Sequence, residues 1–208
     1  MPRTFEFSKD KTALVIVDLQ NDFVRPGAPM VVNEAMATIP ANKKLIAFAR
    51  ENGMPIIFTK FVSGKVSSLL WNWSPEIPAQ QSCKRNHERH YADINKTQQC
   101  ADVIDELKPI MPEDYILEKY HYSSFHNTNL VDILRSEGAD TIIVTGTVTH
   151  LCVYDTIRGG FEEGFKVVLA SDCSSTWDTL QQQAVEQNTA HKYGMVMTSD
   201  EVMQRLKA

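Results

Sequence analysis

The chain has 208 residues, a net charge of −5 and 43% hydrophobic residues. That length suits one α/β domain with a sizeable core, read here as residues 1–208. The weak negative charge argues against nucleic acid or an anionic membrane as partner, and no apolar run approaches the ~20 residues that span a bilayer. The polar start, M-P-R-T-F-E-F-S-K-D, lacks a signal-peptide core, so the cytoplasm is the expected compartment. Four cysteines, at positions 83, 100, 152 and 173, show no CxxC pairing and are expected to be free thiols.

The first buried strand is T-A-L-V-I-V at 12–17, with Asp18 at its carboxyl end. The turn R-P-G-A-P follows. Residues 40–53 read as a helix stopped at Gly53, and P-I-I-F-T at 55–59 as a second strand. Residues 63–95 show no period. They hold Trp71, Trp73, two prolines and C-K-R-N-H-E-R-H, and read as an irregular insertion over a pocket or a second subunit. The spacing of Cys100, Val103, Ile104 and Leu107 predicts a helix over 97–108, with Cys100 in the core.

Y-I-L-E at 115–118 is a third strand, with Lys119 at its exit, and a helix runs from Asn127 or Thr128 to Gly138. The stretch from Thr141 to Gly164 organises the rest. Ile142, Ile143 and Val144 make a buried strand that Gly146 breaks, and a helical stripe of Val153, Tyr154, Ile157 and Phe161 follows. Cys152 falls in the first turn of that helix, where free N–H groups and the dipole should ease its ionisation. A fifth strand at 165–170, a polar loop S-D-C-S-S-T, a helix at about 177–192, the strand M-V-M at 195–197 and a final helix complete the chain. Cys173, on the polar loop, has no assigned role.

Strands alternating with helices imply a mostly parallel sheet covered on both faces, with ligands bound outside the strands' carboxyl ends. Asp18, Lys119 and Cys152 each lie just past such an end and can converge. A carboxylate, an ammonium and a thiol suffice for acyl transfer. Asp18 could take the thiol proton, Lys119 could keep Asp18 ionised, and the N–H groups of Val148 and Cys152 could hold the oxyanion. Taken singly, each residue also has a plain structural reading: Cys152 as a small core residue, Asp18 as a turn cap, Lys119 as a solvated cation. Cys83, His87 and His90 have the residue types of a zinc site but no evident fourth ligand. His150 could contact substrate or neighbour the helix cap. Gln20, Phe23, Thr149, His150 and Trp73 are the candidate substrate contacts.

Three segments, A-L-V-I-V-D-L-Q-N-D-F, E-K-Y-H-Y-S-S-F-H-N-T-N-L and V-T-G-T-V-T-H-L-C-V-Y-D-T-I-R, resemble the isochorismatase-like cysteine hydrolase superfamily. The order and spacing of the segments carry the likeness over nearly the whole chain. The branch resembled includes N-carbamoylsarcosine, ureidoacrylate and biuret hydrolases. The resemblance implies a three-layer α/β sandwich with a six-stranded parallel sheet ordered 3-2-1-4-5-6. It implies an Asp18–Lys119–Cys152 triad, a non-proline cis peptide between Thr147 and Val148, and a homodimer or homotetramer. Nicotinamidases of this superfamily carry an Asp-x-His metal motif after the second strand. F-T-K-F-V-S-G here has no such ligands, so no metal or other cofactor is expected. Isochorismatases lack the nucleophilic cysteine.

The leading expectation is therefore a metal-independent cysteine amidohydrolase releasing ammonia from a small amide or carbamoyl (ureido) compound through a thioester. The alternatives are a vinyl ether hydrolase using Asp18 as acid, and a non-catalytic binding subunit or thiol sensor.

Overall fold

A computed structural model of the chain describes residues 4–63 and 69–207. In chain order the elements are β1 (Thr12–Val17), α1 (Asn21–Val24), α2 (Ala35–Glu51), β2 (Ile56–Phe61), α3 (Leu69–Trp73), α4 (Glu76–Ala79), β3 (Glu88–Tyr91) and β4 (Lys96–Gln99). Then come β5 (Tyr115–Lys119), α5 (Leu130–Ser136), β6 (Thr141–Thr147), α6 (Tyr154–Glu162), β7 (Lys166–Ser175), α7 (Thr179–Asn188), β8 (Gly194–Met197) and α8 (Ser199–Lys207).

Six strands form one sheet in the order β5-β2-β1-β6-β7-β8, and every pairing in it is parallel. Numbered along the chain, those six strands run 3-2-1-4-5-6, as the resemblance implied. The reason lies in the strands themselves. β1 and β6 are buried at every position, as expected of strands covered on both faces. Two apolar layers result. Leu14 and Ile16 pack with Leu45, Ile46 and Phe48 of α2 on one face. Val15 and Val144 pack with Leu130, Leu134 and Ile157 on the other.

Three expectations need correction. The region 97–108 is not a helix: it holds β4, a turn and a short 3-10 segment at Asp105–Leu107. Cys100, Val103, Ile104 and Leu107 are buried as their spacing suggested. Their backbone, however, bonds elsewhere. Cys100 and Asp102 carbonyls accept from Asp22 and Asn21, and the Ile104 N–H donates to the Leu19 carbonyl. The segment 63–95 is less irregular than expected, with α3, α4 and the first strand of a β3–β4 hairpin. Its residues 64–68, and the Trp71 side chain, lie outside the described set. The polar loop after residue 170 is part of β7. β6 advances two residues, Val144 to Gly146, while β7 advances from Leu169 to Ser174, so a bulge absorbs Ser171, Asp172 and Cys173 before pairing resumes.

Gly146 does not end β6. It lies within the strand at φ +110°, and a Cβ there would sit 2.0 Å from the Val17 carbonyl oxygen. Only glycine permits that approach, which sets the exit of β6 against the exit of β1 and thus Cys152 beside Asp18. Gly146→Ala combines a left-side φ with a backbone clash. It should cost roughly 2–6 kcal/mol, read as a lower urea midpoint. An unchanged midpoint would show that β1 and β6 can separate freely at this point.

Candidate active site

Asp18 follows β1 in a left-handed conformation, φ 51°, which turns its side chain back over the strand ends. Lys119 is the last residue of β5. Both are 0% exposed, and the Lys119 ammonium donates to Asp18 Oδ2 at 2.6 Å. Its remaining donors reach the carbonyls of His121 at 3.1 Å and Tyr122 at 2.9 Å. Thr59, inside β2, donates its hydroxyl to Asp18 Oδ1 at 2.6 Å and accepts the Asp18 N–H at 3.2 Å. The carboxylate is thus held at both oxygens and at its own backbone.

Cys152 completes the group. It sits in a single π-helical turn, Thr149–Val153, that leads into α6. The turn follows a cis peptide between Thr147 and Val148, as the resemblance implied. Thr156 Oγ1 donates to the Cys152 carbonyl at 2.7 Å, and Ser124 N–H donates to Thr156 Oγ1, which ties the turn to the loop after Lys119. The Cys152 sulfur is within electrostatic and hydrogen-bonding reach of both Asp18 and Lys119. Three strand exits therefore deliver the acid, the amine and the sulfur to one place.

The sulfur is 3% exposed and opens into a cavity of about 240 Å³. Phe23, Phe61, Ile77, Leu151 and Trp177 give it an apolar wall, with Val148 beside Cys152. Ser74, Glu76 and Tyr122 supply the polar rim. Asp18 and Lys119 lie behind the sulfur and do not line the cavity. This burial reverses one expectation. Removal from water pushes the Cys152 thiol up to about 12, with Lys119 pulling down and Asp18 pushing up. The helix start does not yield a resting thiolate. Burial lowers the Lys119 pKa, but Asp18 and Cys152 outweigh it, and the net direction is upward.

The other candidates divide. Phe23 and Val148 line the cavity. Gln20 does not: its amide is consumed by the Phe61 N–H and carbonyl and by the Ala101 carbonyl, at 2.8–2.9 Å. It fastens β2 to residue 101 and is a structural residue. Thr149 is buried, its hydroxyl has no hydrogen-bond partner, and it is not part of the cavity wall. His150 supports the wall from behind. Its Nδ1 is 2.5 Å from Thr176 Oγ1, and its ring meets Trp177 edge-on at 5.6 Å. Trp73 is 80% exposed and faces a neighbouring outer pocket.

Among the described residues, no three His, Cys, Asp or Glu side chains are grouped to hold a metal ion. Cys83 is buried with its N–H on Asp22 Oδ2, whereas His90 is exposed on the hairpin, so these residue types do not form a cluster. No helix among those residues is long and apolar enough to cross a membrane.

Sequence reasoning missed Thr59, Tyr122, Glu76 and Trp177. Thr59 left a trace as the polar residue in I-I-F-T. Tyr122 lay within a quoted motif but had no role attached.

The parallel-sheet sandwich, the meeting of three strand exits and the apolar cavity beside Cys152 are those of a cysteine hydrolase. Residues 12–201 match the isochorismatase domain family, and the chain belongs to that family. It is 32% identical to the ureidoacrylate amidohydrolase RutB of Cronobacter turicensis, over 94% of this chain and 88% of that protein. A cysteine hydrolase structure from Pseudomonas syringae pv. phaseolicola superposes with a TM-score of 0.88 at 27% identity, covering 100% of this chain and 97% of that one. An N-carbamoylsarcosine amidase from Thermoplasma acidophilum gives 0.72, also at 27% identity, over 92% and 98%.

Two outcomes follow from the geometry. Thr59→Val should keep the fold but release one Asp18 oxygen, lowering kcat by as much as about 100-fold, and Thr59→Ser should restore most of it. Equal losses in Val and Ser variants would deny the hydroxyl this role. The second concerns ionisation. A thiol held as high as about 12 is protonated at neutral pH, and its thiolate fraction grows with pH. Inactivation by iodoacetamide, mapped to the Cys152 peptide, should therefore accelerate about tenfold per pH unit from 7 to 9. A plateau below pH 8 would reveal a preformed thiolate.

Proposed function

We propose that this amidohydrolase of ureido and amide C–N bonds works through a thioester on Cys152, in a reaction that calls for no metal. The observation that carries the reading is the meeting of Cys152, Asp18 and Lys119 beneath a small apolar cavity, with only the sulfur reaching the surface. Asp18 accepts the thiol proton as sulfur attacks the carbonyl carbon, so the thiolate exists only during attack. Lys119 remains an ammonium and keeps Asp18 anionic until the proton arrives. The N–H groups of Val148 and Cys152 receive the developing oxyanion. Collapse breaks the C–N bond, and the leaving nitrogen takes the proton from Asp18. Water, deprotonated by Asp18, then cleaves the thioester and restores the thiol. The curated relatives named as ureidoacrylate amidohydrolases, and the N-carbamoylsarcosine amidase, support a ureido or amide carbonyl as the point of attack.

The ether-hydrolase alternative needs Asp18 to protonate substrate directly. In that reaction the Cys152 sulfur, the one member of the three on the cavity wall, would have no role. The geometry favours the thioester route.

Cys152→Ala should lower ammonia release by about 10⁴-fold or more while thermal unfolding stays cooperative. A slow amide or an aldehyde analogue should add mass to the peptide containing Cys152. Retention of wild-type turnover in Cys152→Ala, or pyruvate release from a vinyl ether without ammonia release from amides, would reject the reading.

A further inference from the structure

The cavity also constrains the charge of what it accepts. Its described lining carries one formal charge, the carboxylate of Glu76 at the start of α4, on the rim beside Ser74. Lys119 cannot serve as an anion-binding cation, because all its donors are spent on Asp18 and two carbonyls. A second pocket of about 390 Å³ adjoins the first and shares Ser74 and Tyr122 with it. Its wall includes Trp73, His121, His126 and Asp155. A substrate with its carbonyl at Cys152 and a chain of a few atoms passes Tyr122 and enters this outer space.

Two carboxylates flank this route, Glu76 on the rim of the inner cavity and Asp155 in the wall of the outer pocket. The Tyr122 phenol is pushed up by burial first and then by Cys152, with Asp155 and Glu76 acting in the same direction against a hydrogen bond from Ser74. His121 is pulled down by burial, by His126 and by Lys119, which keeps it neutral near pH 7. Asp155 is half-buried, and burial raises its pKa against the pull of Arg158, 4.0 Å away and exposed, and of Lys119. A carboxylate arriving beside Glu76 and Asp155 would meet two like charges in a site partly shielded from water. A cation would relieve the burial penalty on Asp155 and lie near the exposed Trp73 indole.

We propose that the substrate's far end is uncharged or cationic, and that Glu76 and Asp155 reject a carboxylate there. This rests on Cys152 as the point of attack. It separates the chain's substrate from ureido acids, although the reacting group is the same.

The test uses three ureas of matched length: isopentylurea (neutral), 3-aminopropylurea (cationic) and 3-ureidopropionate (anionic). Calorimetry on the Cys152→Ala protein measures binding without turnover. The neutral and cationic ligands should bind at least about tenfold tighter than the acid, as expected where two partly exposed like charges face it together. Glu76→Gln, an exposed substitution, should narrow that gap about fivefold or more. An acid that binds as tightly as the other two, or no measurable binding by any of them, overturns the proposal. Ammonia release by the wild-type protein is scored separately. If the binding order holds but none of the ureas is cleaved, the charge rule stands and the thioester reading falls.

Discussion

The rest of the site depends on one buried ion pair. Asp18 and Lys119 are removed from water completely, a state that costs several kcal/mol per ion unless every lone pair and proton is answered. Here they are answered. Lys119 and Thr59 take one carboxylate oxygen each, and the ammonium completes its set on the His121 and Tyr122 carbonyls. Such a network tolerates little displacement, because losing any member leaves a charge partly unpaired in a poor dielectric. The parallel register supplies the required placement. Phe61 at the end of β2 pairs with Lys119 at the end of β5, and β2 also pairs with β1, whose next residue is Asp18.

A second polar network keeps the first in position. Asp22, also 0% exposed, accepts from Arg89, from the Tyr91 hydroxyl and from the Cys83 N–H. Arg25, almost fully buried, forms a two-pronged pair with Glu106 and a further contact to Asp93. Both residues belong to the short segment just past Asp18. The β3–β4 hairpin and residues 105–107 are thereby clamped to the segment that follows Asp18. A segment that reads by sequence as an irregular insertion, with no apolar period, acts as a brace because its charged side chains point inward at matched partners. That also explains why buried Arg25 and Asp22 are compatible with folding: each arrives with its counter-charges.

These networks mark where sequence reading works and where it stops. β1, β6 and the exits that carry Asp18, Lys119 and Cys152 were legible, because β-branched runs and strand-end chemistry are local signals. The sheet order followed from the resemblance rather than from any local pattern. Long-range bonding decided the failures. Residues 97–108 have helical apolar spacing, yet their carbonyls and amides are claimed by residues 19–22 and 87. Gln20 sits in a motif that suggests substrate contact, yet its amide closes a gap between β2 and residue 101. The β7 bulge was taken for a loop because Ser171, Asp172 and Ser174 look like turn residues, whereas Asp172 is committed to Ser199 at the start of α8. None of these choices is visible without the partner strand.

The ionisation state of Cys152 shows the same lesson in chemical terms. A cysteine at a helix start, beside a lysine, suggests a thiolate if the helix dipole and the ammonium are counted alone. The structure adds what the local view omits. Burial penalises a thiolate in this closed apolar site more than Lys119 favours it, Asp18 adds to the penalty, and the thiol is pushed up instead. Under the proposed reaction, the pair behind the sulfur is a proton acceptor held ready, not a device for storing a thiolate. A neutral resting thiol is inert toward stray electrophiles in the cavity. It becomes a nucleophile only when a carbonyl is close enough for bond formation and proton transfer to Asp18 to proceed together. On this view the specificity of attack comes from the cavity that positions the carbonyl, and the buried ion pair supplies the basicity that the attack requires.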